Sequence, residues 1–352
     1  KEVASVEAGH KNVRKWTERF YDEISSGRLI PAGRILANAR PNAKMPYYNN
    51  CYTIAVEDHI ESIYESLRED ATISATGGGV GINFSNLRPN GAKLSRGGQS
   101  SGSVSFMKVF NESAKIIQTG GSRRSAHIGI LNVDHPDIEE FILAKQGDEN
   151  KQLTQFNVSV GITDKFMKAV EDDADWDLVF EGKVYKTIKA KYLYELMTKN
   201  AYEHNEPGIL NLDTINKYNN GYYAFDIQEV NPCGEIVMPP YSLCCLSSLN
   251  LSKFVEGAFT EGALFNFPAF EESIEIGVRF LDNVLDATKY PLDKIEKVSK
   301  QWRRIGLGFT GLADAFAMMG IIYGSEESKA MSHRIGKDLM QTSYRASVAL
   351  AK

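Results

Sequence analysis

The 352-residue chain is 43% hydrophobic and 24% charged, the balance of an ordinary globular protein long enough to bury a sizeable core. Its formal net charge of -5 excludes a nonspecific nucleic-acid binder and leaves any nucleotide recognition to local basic residues and backbone amides. Four unevenly spaced cysteines without a C-x-x-C pair exclude a disulfide scaffold and a zinc site, and with no membrane-spanning run or signal-peptide pattern they point to a reducing, cytoplasmic setting.

In chain order, Val13, Trp16, Phe20 and Ile24 recur at helical spacing and Ser25-Ser26-Gly27 closes the pattern, so residues 1–30 read as an N-terminal helical segment. The Pro- and Asn-rich stretch 31–50 reads as loop or short strands that deliver Cys51 to the mouth of a site. Ile60, Ile63, Tyr64 and Leu67 then form one stripe of a helix, with Asp58 placed as its N-cap. The glycine run 77–81 enters a strand at Ile82-Asn83-Phe84. It lacks the Lys-Ser/Thr ending of a Walker loop and the strand-first order of a dinucleotide fingerprint, which leaves close backbone approach to a ligand or neighbouring strand as its use.

Ser95-Arg96-Gly97-Gly98 opens a flexible polar loop before a helix carrying Val104, Met107, Phe110, Ala114 and Ile117. A second such loop, Thr119-Gly120-Gly121-Ser122-Arg123-Arg124-Ser125, ends that helix and precedes the strand-like 127–133. Two loops flanking one helix suit a relay between two ligand sites. Pro136 is placed at position N1 of the next helix. Strand-like 157–162, a helix at 164–170, strand-like 176–180 and a long helix at 189–205 continue the alternation, which favours an α/β barrel over a sandwich, and the acidic 171–175 is a solvated turn.

The chemistry concentrates in Asn231-Pro232-Cys233-Gly234-Glu235. Its proline, with Pro239 and Pro240 beyond, favours extended backbone, which points Asn231, Cys233 and Glu235 the same way. That face combines an amide donor, a thiol able to act as nucleophile or one-electron centre, and a carboxylate base. No histidine lies nearby in sequence to activate Cys233, which makes radical chemistry attractive, because a thiyl radical needs no base; a small buried cysteine is the bland alternative. Downstream, a helix carries Phe270, Ile274, Val278, Leu281 and Leu285, Arg303-Arg304 and Gly306-x-Gly308 lead into another, and a helical pattern runs to Lys352.

Several motifs in one order together resemble the ribonucleotide reductase catalytic subunit: Asn50-Cys51-Tyr52, the stretch 76–89, Ser95-Arg96-Gly97-Gly98, the stretch 120–137, Asn231-Pro232-Cys233-Gly234-Glu235, Ser248-Leu249-Asn250-Leu251 and the stretch 303–314. Their style is most similar to the adenosylcobalamin-dependent class II, or a class I descendant of it. The resemblance implies an α/β fold, part of a ten-stranded barrel of two half-barrels with a central finger loop, spanning 31–352 after the helical segment. It implies that Cys233 becomes a thiyl that removes the ribose 3′-hydrogen, that Glu235 is the base on the 3′-hydroxyl, and that Asn231 hydrogen-bonds the sugar. Asn50 and Cys51 would border the substrate, and Cys51 and Cys244 would be the reducing pair; Cys245, which faces oppositely to Cys244 on an extended segment, is structural.

By the same resemblance Asp58, with His59 and Ile60 beside it, holds the ribose of a deoxynucleoside triphosphate effector and Arg96 its phosphates, while 119–125 reports effector identity to the substrate base. The implied cofactor is adenosylcobalamin, with a separate metal-containing, radical-generating subunit as the alternative. Implied partners are a ribonucleoside di- or triphosphate, the effector and a thioredoxin- or glutaredoxin-like reductant. A homodimer is open, and no membrane, direct nucleic-acid or resident metal partner is expected. Family subunits continue through a second half-barrel with a phosphate-binding loop that is not seen here, so a nucleotide-binding or regulatory fragment, inactive without that half, is the alternative function.

Overall fold

The structure is a computed structural model and describes residues 1–43, 46–95, 97–117, 125–146 and 153–352. The chain forms two compact units interleaved in sequence: Lys1–Asn49, Cys244–Tyr290 and Glu296–Lys352 make one, and Asn50–Leu243 with Pro291–Ile295 make the other.

In the second unit, strands Cys51–Thr53, Gly79–Asn83, His127–Asn132, Phe156–Ile162 and Gly208–Asn211 pair in that order, every neighbour parallel. Parallel strands need crossovers and are covered on both faces, so they read as apolar runs rather than alternating ones. Gly79–Asn83 is buried throughout and Phe156–Ile162 nearly so. The helix Ser103–Ile116 buries Val104, Met107 and Phe110 as predicted, and Phe110 meets Phe84 edge to face at 5.4 Å. Strands alternating with helices bear out the α/β reading.

The stripe predicted for the helix Ile60–Ala75 is rotated from the face it buries. Ile60 and Tyr64 are exposed, whereas Ile63, Ser66, Glu69, Asp70, Ile73 and Ser74 are buried. Hydrophobic periodicity misses such a face because its polar groups are tolerated by being bonded, and hydropathy carries no record of partners. Ser66 Oγ donates to Ala55 O at 2.6 Å, and Glu69 pairs with Lys294 at 2.7 Å while accepting from Tyr241 Oη at 3.2 Å.

The first unit is built around the helix Phe267–Ala287, which buries Phe270, Ile274, Val278, Leu281 and Leu285 as predicted. The N-terminal helix His10–Ser25 presents the predicted stripe, with Phe20 edge to face against Phe280 at 5.2 Å, and Gly27 follows it at φ +74°. Strand Leu29–Pro31 runs antiparallel to Leu246–Asn250, which is parallel to Gly306–Thr310.

Several local expectations are corrected. Gly33–Asn38 is a short helix within the stretch read as loop or strand. Pro136 lies before the N-cap Asp137 of Ile138–Leu143, not at N1. Lys183–Lys189 is an additional strand that forms a hairpin with Asp175–Phe180, and Gly306–Thr310 is a strand ahead of its helix. In both cases pairing with a neighbour outweighs the low strand propensity of Lys and Gly.

Candidate functional site

Residues 231–235 are not extended. Short strands Glu229–Val230 and Val237–Met238 pair antiparallel and enclose a tight turn in which Gly234 N–H donates to Asn231 O at 2.8 Å and Asn231 N–H to Ile236 O at 3.1 Å. Pro232 at the second position and Gly234, at φ +80°, at the fourth match the preferences of a type I turn, so the proline that suggested extended chain instead starts a reversal. The turn leaves Cys233 exposed at its tip. It also brings Asn231 and Glu235 together: Asn231 Nδ2 donates to Glu235 Oε2 at 2.6 Å, while Asn231 Oδ1 accepts from Ile236 N–H at 2.9 Å. The second bond fixes which way the buried amide points.

The hairpin is seated on the parallel sheet. Val230 packs with Ile128 and Ile130, and Leu210 and Val237 close around them. A Cβ on Gly81 would stand 1.7 Å from Val230 O, and one on Gly79 would stand 2.7 Å from Pro232 Cγ and 2.8 Å from Ala126 O. The glycine run therefore serves close approach by a neighbouring strand, one of the uses expected of it. Asn83 Nδ2 donates to Gln228 O at 3.0 Å and Asn157 Nδ2 to Pro232 O at 2.9 Å, tying both ends of the hairpin to strand side chains.

Cys51, half-buried, opens the edge strand beside the same glycines: it is in register with Gly79, whose N–H donates to Asn50 O at 2.6 Å. The chain leaving the hairpin returns along that strand, with Thr53 N–H donating to Ser242 O at 3.0 Å and Tyr241, at φ +60°, donating its N–H to Thr53 O at 2.9 Å. In the other unit Cys244 is buried, and Cys245 is fully so. The Cys245 thiol donates to Leu281 O at 3.5 Å, and burial raises it well above the ordinary thiol range.

Glu229, at the base of the hairpin, escaped sequence notice. It is buried, its Oε2 has no hydrogen-bond partner among the described residues, and burial pushes its carboxyl up to about 8.

Asp58 is not the helix cap. His59 takes that position, its Nδ1 accepting from Ser62 N–H at 3.1 Å, and Ile60 begins the helix. Asp58 instead receives Arg88 on both oxygens, Nε to Oδ2 at 2.7 Å and the backbone N–H to Oδ1 at 3.0 Å. A guanidinium offers a charge-assisted bond where a cap offers a neutral amide, which is why the pairing prevails over the cap. Arg88 lies inside the quoted 76–89 motif, but only its partner identifies it. Asp137 likewise accepts from Ser103 N–H at 2.8 Å and Asn90 N–H at 2.9 Å, holding the loop around Ser95 to the start of Ser103–Ile116. Arg96, Thr119, Gly120, Gly121, Ser122, Arg123 and Arg124 lie outside the described residues; Ser125 lies inside them, its Oγ donating to Gly78 O at 2.7 Å.

The family model described as ribonucleotide reductase, barrel domain, matches residues 49–352. The chain is similar to a vitamin B12-dependent ribonucleoside-diphosphate reductase of Thermoplasma acidophilum, 39% identical over 100% of this chain and 44% of that protein. A protein of the same description from Mycobacterium tuberculosis is 36% identical over 96% of this chain and 48% of its own length. A ribonucleoside-diphosphate reductase large subunit of Caenorhabditis elegans is 29% identical over 94% of this chain and 46% of its own. The chain spans about half the length of these curated relatives. Among the described residues no helix is long and apolar enough to cross a membrane.

Proposed function

The chain belongs to the ribonucleotide reductase family, and from that premise we propose that the protein it represents reduces ribonucleoside diphosphates to 2′-deoxyribonucleotides by thiyl-radical chemistry under deoxynucleoside triphosphate control. The observation that carries this reading is the turn that exposes Cys233 while bonding Asn231 to Glu235 at 2.6 Å. The thiol, the amide and the carboxylate of this one short turn are the group types that reaction at one face of a sugar requires.

The chemistry follows from those groups. The Cys233 thiyl takes the 3′-hydrogen, forming S–H and leaving a carbon radical. Glu235 takes the 3′-hydroxyl proton, and the adjacent radical then makes departure of the 2′-hydroxyl as water easier than from a closed-shell sugar. Asn231 steers the carboxylate by its Nδ2–H bond and has a second Nδ2 hydrogen for the sugar. The Cys51 and Cys244 thiols give two electrons and two protons, one to the departing water and one to C2′, and become a disulfide. Glu235 returns its proton to the 3′-oxygen, Cys233 returns its hydrogen to C3′ and is a thiyl again, and a dithiol reductant of the thioredoxin or glutaredoxin kind resets the pair.

The relatives of the B12-dependent description favour adenosylcobalamin as the radical source. An exposed thiol at a turn tip suits that group, which when bound supplies the one-electron oxidising equivalent at Cys233. Asp58, His59, Ile60 and Arg96 form the effector side, with Arg88 as the counter-charge of Asp58, and 119–125 relays effector identity.

The test is turnover by the full-length protein given a ribonucleoside diphosphate, adenosylcobalamin and a dithiol alone. Deoxynucleotide formation that Cys233→Ser abolishes is expected. Inactivity rescued by a metal-loaded partner subunit overturns the cofactor assignment, and inactivity under both conditions overturns the enzyme reading in favour of a nucleotide-binding or regulatory role.

A further inference from the structure

The buried face of Ile60–Ala75 carries a polar cluster that the chemistry above does not use. His127 Nε2 lies 2.9 Å from Asp70 Oδ1 and 3.2 Å from Ser74 Oγ; Ser74 Oγ lies 2.9 Å from Ser125 Oγ, which donates to Gly78 O at 2.7 Å. Asp70, Ser74 and His127 are 0%, 0% and 1% exposed.

The hydrogens can be assigned in one direction. Ser125 must donate to the Gly78 carbonyl, so its oxygen accepts from Ser74 O–H. Ser74 then has only acceptor capacity left for His127, and the Nε2–H is shared between Asp70 Oδ1 and Ser74 Oγ. Among the described residues His127 Nδ1 and Asp70 Oδ2 are buried without partners. A lone pair left bare at Nδ1 costs less than an orphaned N–H, which selects the Nε2–H tautomer. The arrangement is not a hydrolytic triad: serine and acid share one ring nitrogen, whereas a triad places them on opposite nitrogens.

The cluster joins three elements. The helix Ile60–Ala75 begins beside Asp58 and ends at the turn holding Ser74, a rigid span of about 22 Å at 1.5 Å per residue. Ser125 ends the 119–125 stretch and leads into the strand His127–Asn132. Gly78 precedes Gly79, which lies against Pro232 of the turn that exposes Cys233. A cluster of apolar side chains of equal volume would serve packing as well, whereas a directed hydroxyl chain breaks at defined atoms when either end moves.

We infer that Ser74, backed by the Asp70/His127 pair, is a positioning residue for substrate selection, transmitting the state of the helix that begins beside Asp58 through Ser125 to the glycine strand under Cys233. This rests on the proposed function, since it needs an effector at Asp58 and a reaction at Cys233.

The test uses the full-length protein, with paired substrates in competition and with and without each deoxynucleoside triphosphate. Effector binding is measured separately by calorimetry. Ser74→Ala should leave effector-free turnover and effector Kd within about twofold, while the effector-driven substrate preference falls at least about fivefold, the lower end of ordinary coupling between sites. Ser74→Ala combined with Ser125→Gly should lose no more preference than the larger single loss, because both cut one chain. Should Ser74→Ala fail to fold, Ser74→Cys, which keeps the volume and only a weak donor, is read by the same criteria. An unchanged preference overturns the inference, as does a loss that merely tracks weakened effector binding, or additive losses in the double variant. Wild-type protein without any effector-dependent preference instead overturns the proposed function.

Discussion

Val230 O occupies the space that a side chain on Gly81 would need, 1.7 Å from the Cβ position. The hairpin that carries Cys233 can lie on the sheet only because that strand residue has no side chain. Gly81→Ala should therefore lift the hairpin rather than simply strain the strand. Overpacking of this kind costs about 1–3 kcal/mol. A displacement near 1 Å at a reacting group costs about 100-fold in rate, so turnover should fall far more than stability. Denaturant unfolding beside single-turnover kinetics separates the two; equal, small effects would show that the hairpin relaxes without consequence.

Glu229 makes stability depend on pH. Its carboxyl holds a proton up to about 8 in the folded chain against 4.5 for an ordinary glutamate, so folding takes up a proton between those limits. Stability contributed by this group is complete below the lower value and is lost as pH rises through the upper one. The effect is on the order of a few kcal/mol, given burial and an Oε2 without a partner among the described residues. Glu229→Gln should flatten the difference in unfolding free energy between pH 5 and pH 8.5. An identical pH slope in both proteins would show that the carboxyl is ionised in place.

The cysteines should separate by reactivity. Cys245 is held by Leu281 O and raised far above the thiol range, so it should resist alkylation at neutral pH until the chain unfolds. After one turnover without reductant, peptide mapping should find Cys51 joined to Cys244 and Cys245 unmodified. A Cys244/Cys245 disulfide would reverse the assignment of the reducing pair.

Arg88 and Asp58 should act as one unit in effector binding. Their bond is partly sheltered, with side-chain exposures of 32% and 21%, so it is worth more than a surface pair. Arg88→Ala leaves Asp58 without its counter-charge and should weaken deoxynucleoside triphosphate binding by about tenfold. Arg88→Lys should recover little, since an ammonium cannot reproduce the guanidinium fork. Calorimetric titration distinguishes this from a purely structural bridge, for which affinity would be unchanged.

Much of this protein was legible in its residues alone. Apolar stripes marked Ser103–Ile116 and Phe267–Ala287 because those helices bury what hydropathy counts. The alternation of strand and helix marked the parallel sheet, and the motifs around Cys51, Cys233 and Gly81 marked the family. A glycine run without phosphate-loop chemistry also pointed correctly to close approach.

Tertiary structure decided how those groups meet. Proline permits both extended chain and turns, so the 231–235 residues alone suggest extended chain; pairing of Val230 with Val237, and their packing on Ile128 and Ile130, selects the turn. Asp58 left its expected cap because Arg88, 30 positions away, offers a stronger bond. Glu229 and the Ser74, Asp70 and His127 cluster left no trace in the pattern, since burying a polar group depends on partners distant in sequence. Local spacing determines which face a residue joins, but only the folded chain determines what it finds there.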